Sequence, residues 1–198
     1  MKERPILFNN PMVQAILQGR KTQTRRLVKN RLTIEQAEFE NGNRPNVTLS
    51  EPNLQYHADN YCPFGQVGDL LWVRETFRLF DSDECPHSDF PCGCPSWGTP
   101  LYRASHDCFD GEKWTPSIHM PRWASRILLE ITNIRVERLQ DISEEDAVSE
   151  GMTADDDYCA EEQFSMLWTK TYGWGEKGWN ENPWVWVVDF KVIQGGES

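Results

Sequence analysis

The sequence predicts a single α+β domain, because strand-like and helix-like patterns are interspersed along it. Apolar, β-rich runs recur at residues 5–8, 70–77, 127–132, 134–139 and 184–192. Apolar residues at helical spacing recur at residues 11–18, 141–151 and 160–172. Two long polar stretches, at about 30–62 and 79–119, carry neither pattern, and we expect loop insertions there. The expected domain spans residues 1–193, with a flexible tail at 194–198.

The charge of the chain restricts the classes of ligand. The 198 residues carry a formal net charge of -11, which argues against a broad nucleic-acid-binding surface and against extended duplex DNA as a partner. Positive charge is nevertheless concentrated near the N-terminus, where eight Lys and Arg residues between Lys2 and Arg31 face a single acid, Glu3. An acidic protein with one basic patch is expected to bind a small anionic or nucleotide-like ligand.

Two further observations concern location. No run approaches the roughly 18 apolar residues that a membrane helix needs, and we expect no membrane partner. Residues 1–5 lack the apolar segment of a signal peptide, which predicts an intracellular, cytoplasmic protein.

The N-terminal elements follow one another closely. A strand at residues 5–8 is followed by a turn, and Pro11 then suits the first turn of a helix that ends before Gly19. The basic residues 20–26 are expected on a turn leaving this helix, with another short strand at 27–29. Residues 33–60 are expected to be irregular, with a turn cluster at 41–46 and a brief helix at 34–39.

The central run at 70–77 alternates as a strand does. Trp72, Arg74 and Thr76 share one face, and the opposite face carries Leu71, Val73, Glu75 and Phe77. Charges within such a strand indicate a sheet edge or the wall of a site.

The helix predicted within residues 141–151 has recognisable ends. Ser143 suits the N-cap, Asp146 lies three residues later as an acidic N3 residue, and Gly151 ends the helix. Glu150 falls in the last turn, where the helix dipole disfavours a carboxylate. It is either an exposed helix-end residue or one held by a cationic partner.

The segment 19–26 carries the strongest candidate for chemistry. Lys21 lies three residues before Thr24, so an amine and a hydroxyl can share one small patch. A hydroxyl becomes a useful nucleophile when a neighbour takes its proton, and a desolvated lysine can do so. The alternative is a basic, solvated loop without chemistry.

Six cysteines raise the question of a metal site. Cys85, His87, Cys92 and Cys94 fall within ten residues of a turn-rich stretch and could form a structural Cys3His zinc site. Their spacing differs from common zinc patterns, so unligated cysteines in a loop are the alternative. Cys62 and Cys108 are alternative ligands.

Residues 19–26 and 67–73 together resemble the ASCH domain family, a branch of the PUA-like β-barrels. Gly19, Lys21 and Arg26 match its Gly-x-Lys-x-x-x-x-Arg signature. Residues 121–126 and 182–186 are similar to the longer ASCH proteins of bacteriophages and prophages, which implies a bacterial host cell. The resemblance implies a mixed β-barrel flanked by a few short helices.

Within that family, the run Gly-Arg-Lys-Thr-x-Thr-x-Arg resembles bacterial N4-acetylcytidine amidohydrolases. The resemblance implies that Thr24 attacks the amide, Lys21 acts as base and Glu150 holds or charges Lys21, without a cofactor in catalysis. Arg25 replaces an apolar residue of that motif, and the chain is nearly twice as long as those enzymes, which points to a phosphorylated nucleotide or an RNA end.

The other candidate contacts to the substrate are basic or aromatic residues, together with one acid. They are Arg20, Arg25, Arg26, Trp72, Arg74, Glu75, Arg122 and Trp123. The alternatives to a hydrolase are a non-catalytic RNA- or nucleotide-binding module, in which arginines bind phosphate and Trp72 or Trp123 stacks on a base, and an ASCH-type ribonuclease. A third alternative is an accessory protein that binds a host protein.

Overall fold

A computed structural model describes residues 1–28, 51–81, 94–106 and 113–195. The strands are β1 (Glu3–Leu7), β2 (Gln23–Leu27), β3 (Leu70–Arg74), β4 (Phe77–Leu79), β5 (Pro100–Tyr102), β6 (Ile127–Arg138) and β7 (Trp184–Gly195). The α-helices are α1 (Asn10–Leu17), α2 (Glu51–Tyr61), α3 (Glu144–Ser149) and α4 (Ala160–Tyr172). The chain is therefore α+β.

Five strands form one sheet in the order β1-β3-β6-β7-β2. Only the β1–β3 pair is parallel, and the other three neighbouring pairs are antiparallel. Within the described residues β1 and β2 remain the two edges, so the expected closure into a barrel is wrong. The start of edge strand β2 lies next to the end of α3, because the Thr22 amide just before β2 donates to the Ser149 carbonyl.

Apolar residues cover one face of this sheet and part of the other. The larger cluster lies under α1 and α2 and includes Ile6, Phe8, Leu71, Leu129 and Val188, among others. A second cluster packs α3 and α4 against the opposite face of β7 through Val185 and Val187. Because β7 is buried on both faces, its sequence is a nearly continuous apolar run rather than an alternating one.

Several element bounds differ from expectation. Glu51–Tyr61 is a helix inside the first predicted insertion. The turn expected after α1 holds residues 19–22 of the motif, but β2 begins at Gln23 and carries the rest. The run at 70–77 breaks after Arg74, and Phe77–Leu79 pairs with Pro100–Tyr102 in a separate two-stranded sheet. The two runs at 127–139 are one bulged strand.

Other expectations are confirmed. Asn9 caps α1 by accepting a hydrogen bond from the Met12 amide, and Gly19 follows the helix with a φ of 72°. Helix α4 has the predicted bounds. Strand β7 continues to Gly195, into the expected tail, while the predicted helix at 34–39 and turn at 41–46 lie outside the described residues.

Candidate active site

Two helix ends meet beside β2, and together they place the central lysine. After α1 the chain turns at Gly19, and the Arg20 and Lys21 amides both donate to the Ala15 carbonyl. After α3 it turns at Gly151, whose φ is 96°. The Thr22 amide donates to the Ser149 carbonyl at 2.8 Å, which ties the motif to the end of α3.

Lys21 and Glu150 form a buried ion pair between these helix ends. Lys21 Nζ lies 2.5 Å from Glu150 Oε2, and the two side chains are 0% and 2% exposed. The amine also donates to the backbone carbonyls of Glu150 at 2.8 Å and of Gln23 at 2.7 Å. The ammonium thus compensates a carboxylate at a helix C-terminus, where the dipole alone would disfavour it. A solvated basic loop is therefore wrong for this residue.

Burial lowers the pKa of Lys21 below its ordinary value of 10.5. Loss of solvation is the largest cause, and the positive charges of Arg26 and Arg25 act in the same direction. The Glu150 carboxylate opposes the shift without reversing it. A lysine with a lowered pKa is a better base near neutral pH than an exposed one.

Thr24 is buried on β2, on the face that it shares with Arg26. The Phe8 ring lies against this region, with its centroid 5.1 Å from the Arg26 guanidinium carbon and 5.7 Å from Lys21 Nζ. Among the described residues the three acceptors of Lys21 Nζ do not include the Thr24 hydroxyl.

Arg25 points to the opposite face of β2 and is 0% exposed in its side chain. Its guanidinium pairs with Glu137 on β6 at 2.5 Å and with Asp146 on α3 at 2.8 Å. A third carboxylate, Glu150 Oε1, lies 3.5 Å from Arg25 Nη1. Arg25 therefore joins β2, β6 and α3 inside the protein, and the prediction that it contacts substrate at the surface is wrong.

A second layer of polar groups surrounds Arg25, and sequence reasoning missed it. Arg135 pairs with Glu137, Asp146 and Asp189 at 3.0, 2.8 and 3.1 Å. The Gln23 amide donates to Asp146 and Asp189 at 3.1 and 2.6 Å. A signal was present, because Arg135 and Glu137 alternate with apolar residues on β6, and Asp189 interrupts the apolar run of β7.

A cleft of about 280 Å³ opens where α1, α4 and the segment after α3 approach one another. Glu150 and Arg20 are the charged residues of its lining, and α4 contributes Gln163 and Leu167. Glu150 Oε1 is buried and has no hydrogen-bond partner among the described residues. The cation nearest to this oxygen is Arg25, whose Nη1 lies 3.5 Å away, and the oxygen has no exposed surface toward the cleft. Lys21 and Thr24 are not among the residues that line the cleft.

Arg26 and Glu75, both predicted to contact substrate, lie apart from the cleft lining. Arg26 donates to the Leu7 carbonyl at 2.6 Å. Glu75 is 1% exposed and accepts two hydrogen bonds from Arg126, each at 3.0 Å. Burial raises the pKa of its carboxyl, although the Arg126 charge and hydrogen bond act in the opposite direction.

The other four predicted contacts surround the β1–β3 edge. The Arg74 guanidinium carbon lies 5.4 Å from the centroid of the Trp72 ring. Arg122 pairs with Glu3 at 2.7 Å, and the neighbouring Trp123 is 64% exposed. None of the four lines the cleft as far as the structure describes the chain.

The predicted zinc ligands Cys85, His87 and Cys92, and the alternative Cys108, lie outside the described residues. Cys94 is half-buried within them. Among residues 1–28, 51–81, 94–106 and 113–195 there is no cluster of three metal-ligating side chains, and zinc stays a prediction.

In the described part of the chain, every helix is too short or too polar to cross a membrane.

No family model and no curated protein matches the chain. Among solved structures, it is similar to the ASCH domain of Lactobacillus crispatus, at 16% identity and a TM-score of 0.39 over 98% of this chain and 80% of that one. It is also similar to protein EF3133 of Enterococcus faecalis, at 11% identity and a TM-score of 0.42 over 100% and 84%. The first is a domain of the family that the motifs resemble.

Proposed function

We propose that the chain hydrolyses the amide of an acylated cytidine-like base at the Lys21 site. The observation that carries the proposal is the buried Lys21–Glu150 pair beside a cleft, with the pKa of Lys21 lowered by burial. A buried lysine with a lowered pKa suits proton transfer better than structural support, because an apolar side chain would fill the same space at less cost.

The chemistry needs one base and one nucleophile. Neutral Lys21 takes the proton of the Thr24 hydroxyl, and the Thr24 oxygen attacks the acyl carbonyl. The C–N bond then breaks, the proton passes from Lys21 to the leaving amine, and the acyl group remains as an ester on Thr24. Lys21 then takes a proton from water, and the water oxygen attacks the ester carbonyl. The bond between the acyl carbon and the Thr24 oxygen breaks, Lys21 returns the proton to that oxygen, and the carboxylic acid is released. Glu150 holds the amine in place and, at 2.5 Å, stabilises it whenever it is protonated.

The test uses N4-acetylcytidine as substrate and chromatography of the cytidine product. Lys21→Arg should retain the charge toward Glu150 yet lose at least a hundredfold in kcat/KM, because an arginine stays protonated. Lys21→Met should lose as much. Lys191→Met, which removes an exposed lysine paired with Glu130, is the matched control and should retain activity.

Circular dichroism and thermal unfolding of each variant establish that the fold persists. Folded Lys21 variants with unchanged turnover would contradict the proposal, as would a folded wild type that leaves the substrate intact.

The role of Thr24 is tested separately. Thr24→Ser keeps a hydroxyl and should retain measurable turnover, whereas the isosteric Thr24→Val should abolish it. Full activity in Thr24→Val would exclude Thr24 as the nucleophile and would assign that role to a water activated by Lys21.

A non-catalytic RNA-binding module is the second candidate, and a specific surface favours it. The outer face of the β1–β3 edge presents Trp72 and Arg74 beside each other, and the exposed Trp123 and Arg122 follow on a neighbouring 3-10 turn. Aromatic rings and arginines on a sheet face can stack on unpaired bases and bind phosphates.

Titration of a fluorescent single-stranded RNA tests this second candidate. The RNA-binding module predicts micromolar affinity that weakens steeply with salt and is lost in Trp123→Ala. Weak binding that is insensitive to salt and to this substitution would exclude it.

A further inference from the structure

The Glu150 carboxylate lies between two buried cations, one at each of its oxygens. Lys21 Nζ lies 2.5 Å from Oε2, and Arg25 Nη1 lies 3.5 Å from Oε1. All three side chains are at most 2% exposed. The longer contact is an ion pair without a hydrogen bond, since Oε1 has no hydrogen-bond partner among the described residues. One negative charge is therefore shared by two positive charges.

Arg25 is held beside this carboxylate by its other contacts. Its Nη2 pairs with Glu137 at 2.5 Å and with Asp146 at 2.8 Å, and its Nη1 donates to the Gln23 side-chain oxygen. The backbone carbonyl of Gln23 accepts from Lys21 Nζ at 2.7 Å, so one residue of β2 contacts both cations. The distance between the two positive charges is thus set by contacts on β2, β6 and α3.

The charges around the Lys21 amine come from the end of α3 and from β2. Burial lowers the pKa of Lys21 most, Glu150 opposes that shift, and Arg26 and Arg25 add to the lowering. The Phe8 ring, between β1 and α1, adds no charge. Arg25 differs from Arg26 because it also pairs with the opposing carboxylate.

This sharing affects how firmly the amine keeps its proton. A carboxylate at 2.5 Å that faced Lys21 alone would stabilise the ammonium form and oppose the effect of burial. The positive potential of Arg25 offsets part of the negative potential of Glu150 at the amine. The ammonium is therefore held in position without being stabilised by the full carboxylate charge.

We propose that Arg25 is a positioning residue for the Lys21 site, which acts through Glu150 to weaken the hold of the carboxylate on the ammonium proton. The inference rests on the proposed function, because it names how the base of that site is kept available. Arg25 does not line the cleft, so its effect on the chemistry passes through neighbouring side chains.

Lysine Cε chemical shifts, followed with pH in the full chain without substrate, test this coupling independently of turnover. Arg25→Gln should raise the pKa of Lys21, because one nearby positive charge is lost and Glu150 then faces the amine alone. Arg25→Lys keeps the charge and should stay closer to the wild type. Glu137→Gln should lower the pKa of Lys21, because Arg25 then loses one compensating carboxylate.

The opposite directions distinguish an electrostatic role from a merely structural one. If Arg25 only supported the fold, Arg25→Gln and Glu137→Gln would loosen the same contacts, admit water and both raise the pKa of Lys21. Arg4→Gln removes a positive charge that pairs with Asp69 outside this network, and it should leave the pKa of Lys21 unchanged. Circular dichroism establishes which variants are folded. If Arg25→Gln is not, Arg25→Lys and Glu137→Gln decide the question.

A double-mutant cycle tests whether Glu150 is the intermediary. The shift that Arg25→Gln causes should shrink to less than about half in a Glu150→Gln background, because the shared carboxylate is gone. The same shift in both backgrounds would overturn the role of Glu150 and leave a direct repulsion between Arg25 and Lys21.

Turnover provides the second readout. In Arg25→Gln, kcat/KM for N4-acetylcytidine at about pH 6 should fall about tenfold and should approach the wild-type rate at high pH, because only the neutral fraction of Lys21 has changed. Opposite shifts in Arg25→Gln and Glu137→Gln support the coupling even if no hydrolysis occurs, in which case the proposed function alone fails. An unchanged pKa of Lys21 in both variants would overturn the coupling even if the wild type hydrolyses the substrate.

Discussion

At the scale of single residues, the Lys21 amine has lost all contact with water, and three oxygen atoms replace it. Two are backbone carbonyls and one belongs to Glu150, so the ammonium form has an acceptor for each of its hydrogens. Desolvation still dominates and lowers the pKa of the amine. The residue is thus held in place while its proton is easier to remove than that of a lysine in water.

The pH dependence of turnover follows from this shift. Because the base must be neutral, the rate should rise with pH and level off above the pKa of Lys21, which lies below the ordinary 10.5. The measurement is kcat/KM for N4-acetylcytidine from about pH 5 to pH 10. A rate that keeps rising up to the ordinary pKa of lysine would contradict a lowered pKa.

At the scale of elements, the end of α3 matters because it carries Glu150 to Lys21. Gly151 has a φ of 96°, and a Cβ at this position would lie 3.0 Å from the Ala15 Cβ and 3.2 Å from the Lys21 Cβ. Close approach of the two helix ends therefore requires glycine here.

Gly151→Ala should lower the free energy of unfolding by about 2 kcal/mol, because alanine is strained at this positive φ and its Cβ is too close to Ala15 and Lys21. Turnover should fall as well, because the same contact displaces Lys21 from Glu150. Chemical denaturation measures the first effect and the hydrolysis assay measures the second. Gly175→Ala is the control, since a Cβ there meets nothing within 4 Å. Equal stability of Gly151→Ala and the wild type would show that this approach is not required.

The contacts between β2, β6 and α3 depend on Arg25. Arg25→Met should cost about 3 kcal/mol of unfolding free energy, because Glu137 and Asp146 lose a buried partner and repel each other. Arg25→Lys should recover part of that loss, because a lysine keeps the positive charge but cannot reproduce the guanidinium geometry that pairs with both Glu137 and Asp146. Urea unfolding of the three proteins makes the comparison, and an unchanged midpoint in Arg25→Met would contradict the role of this pair.

The local patterns were enough to predict part of this arrangement. Pro11 and Gly19 identified the ends of α1, and Ser143 and Gly151 those of α3, because caps depend on neighbouring residues alone. The same patterns could not show that Arg25 is internal, since its partners Glu137 and Asp146 are more than 100 residues away in the chain. Sheet closure likewise depends on pairing between distant strands, and the expected barrel was wrong.

At the scale of the whole molecule, carboxylates with lowered pKa values make folding sensitive to acid. The Lys2 backbone amide, with Gln66 and Arg4, lowers the pKa of Asp69, and the Ala160 and Glu161 amides lower that of Glu144. Burial alone would raise the pKa of Asp146, but Gln23, Arg135 and Arg25 lower it overall.

These groups release their protons more readily in the folded state, so their stabilisation is present above their ordinary values of 3.8 and 4.5 and is lost as the pH falls below them. We expect the free energy of unfolding to fall steeply between about pH 5 and pH 3. Urea titrations at several pH values measure this slope, which Asp146→Asn should reduce and the exposed-site control Glu145→Gln should leave nearly unchanged. A slope that Asp146→Asn does not alter would exclude this carboxylate as a source of the acid sensitivity.

The protonation of Lys21 tests most directly whether burial makes this lysine a base. Carbon-13 labelling of the lysine side chains allows each Cε resonance to be followed as the pH is raised, and Lys21→Arg assigns the signal by its disappearance. We expect Lys21 to titrate below the ordinary lysine value of 10.5, and Glu150→Gln to lower its pKa further, because the paired carboxylate raises it. A Lys21 resonance that titrates at or above the ordinary value of 10.5 would contradict the claim that burial makes this residue a base.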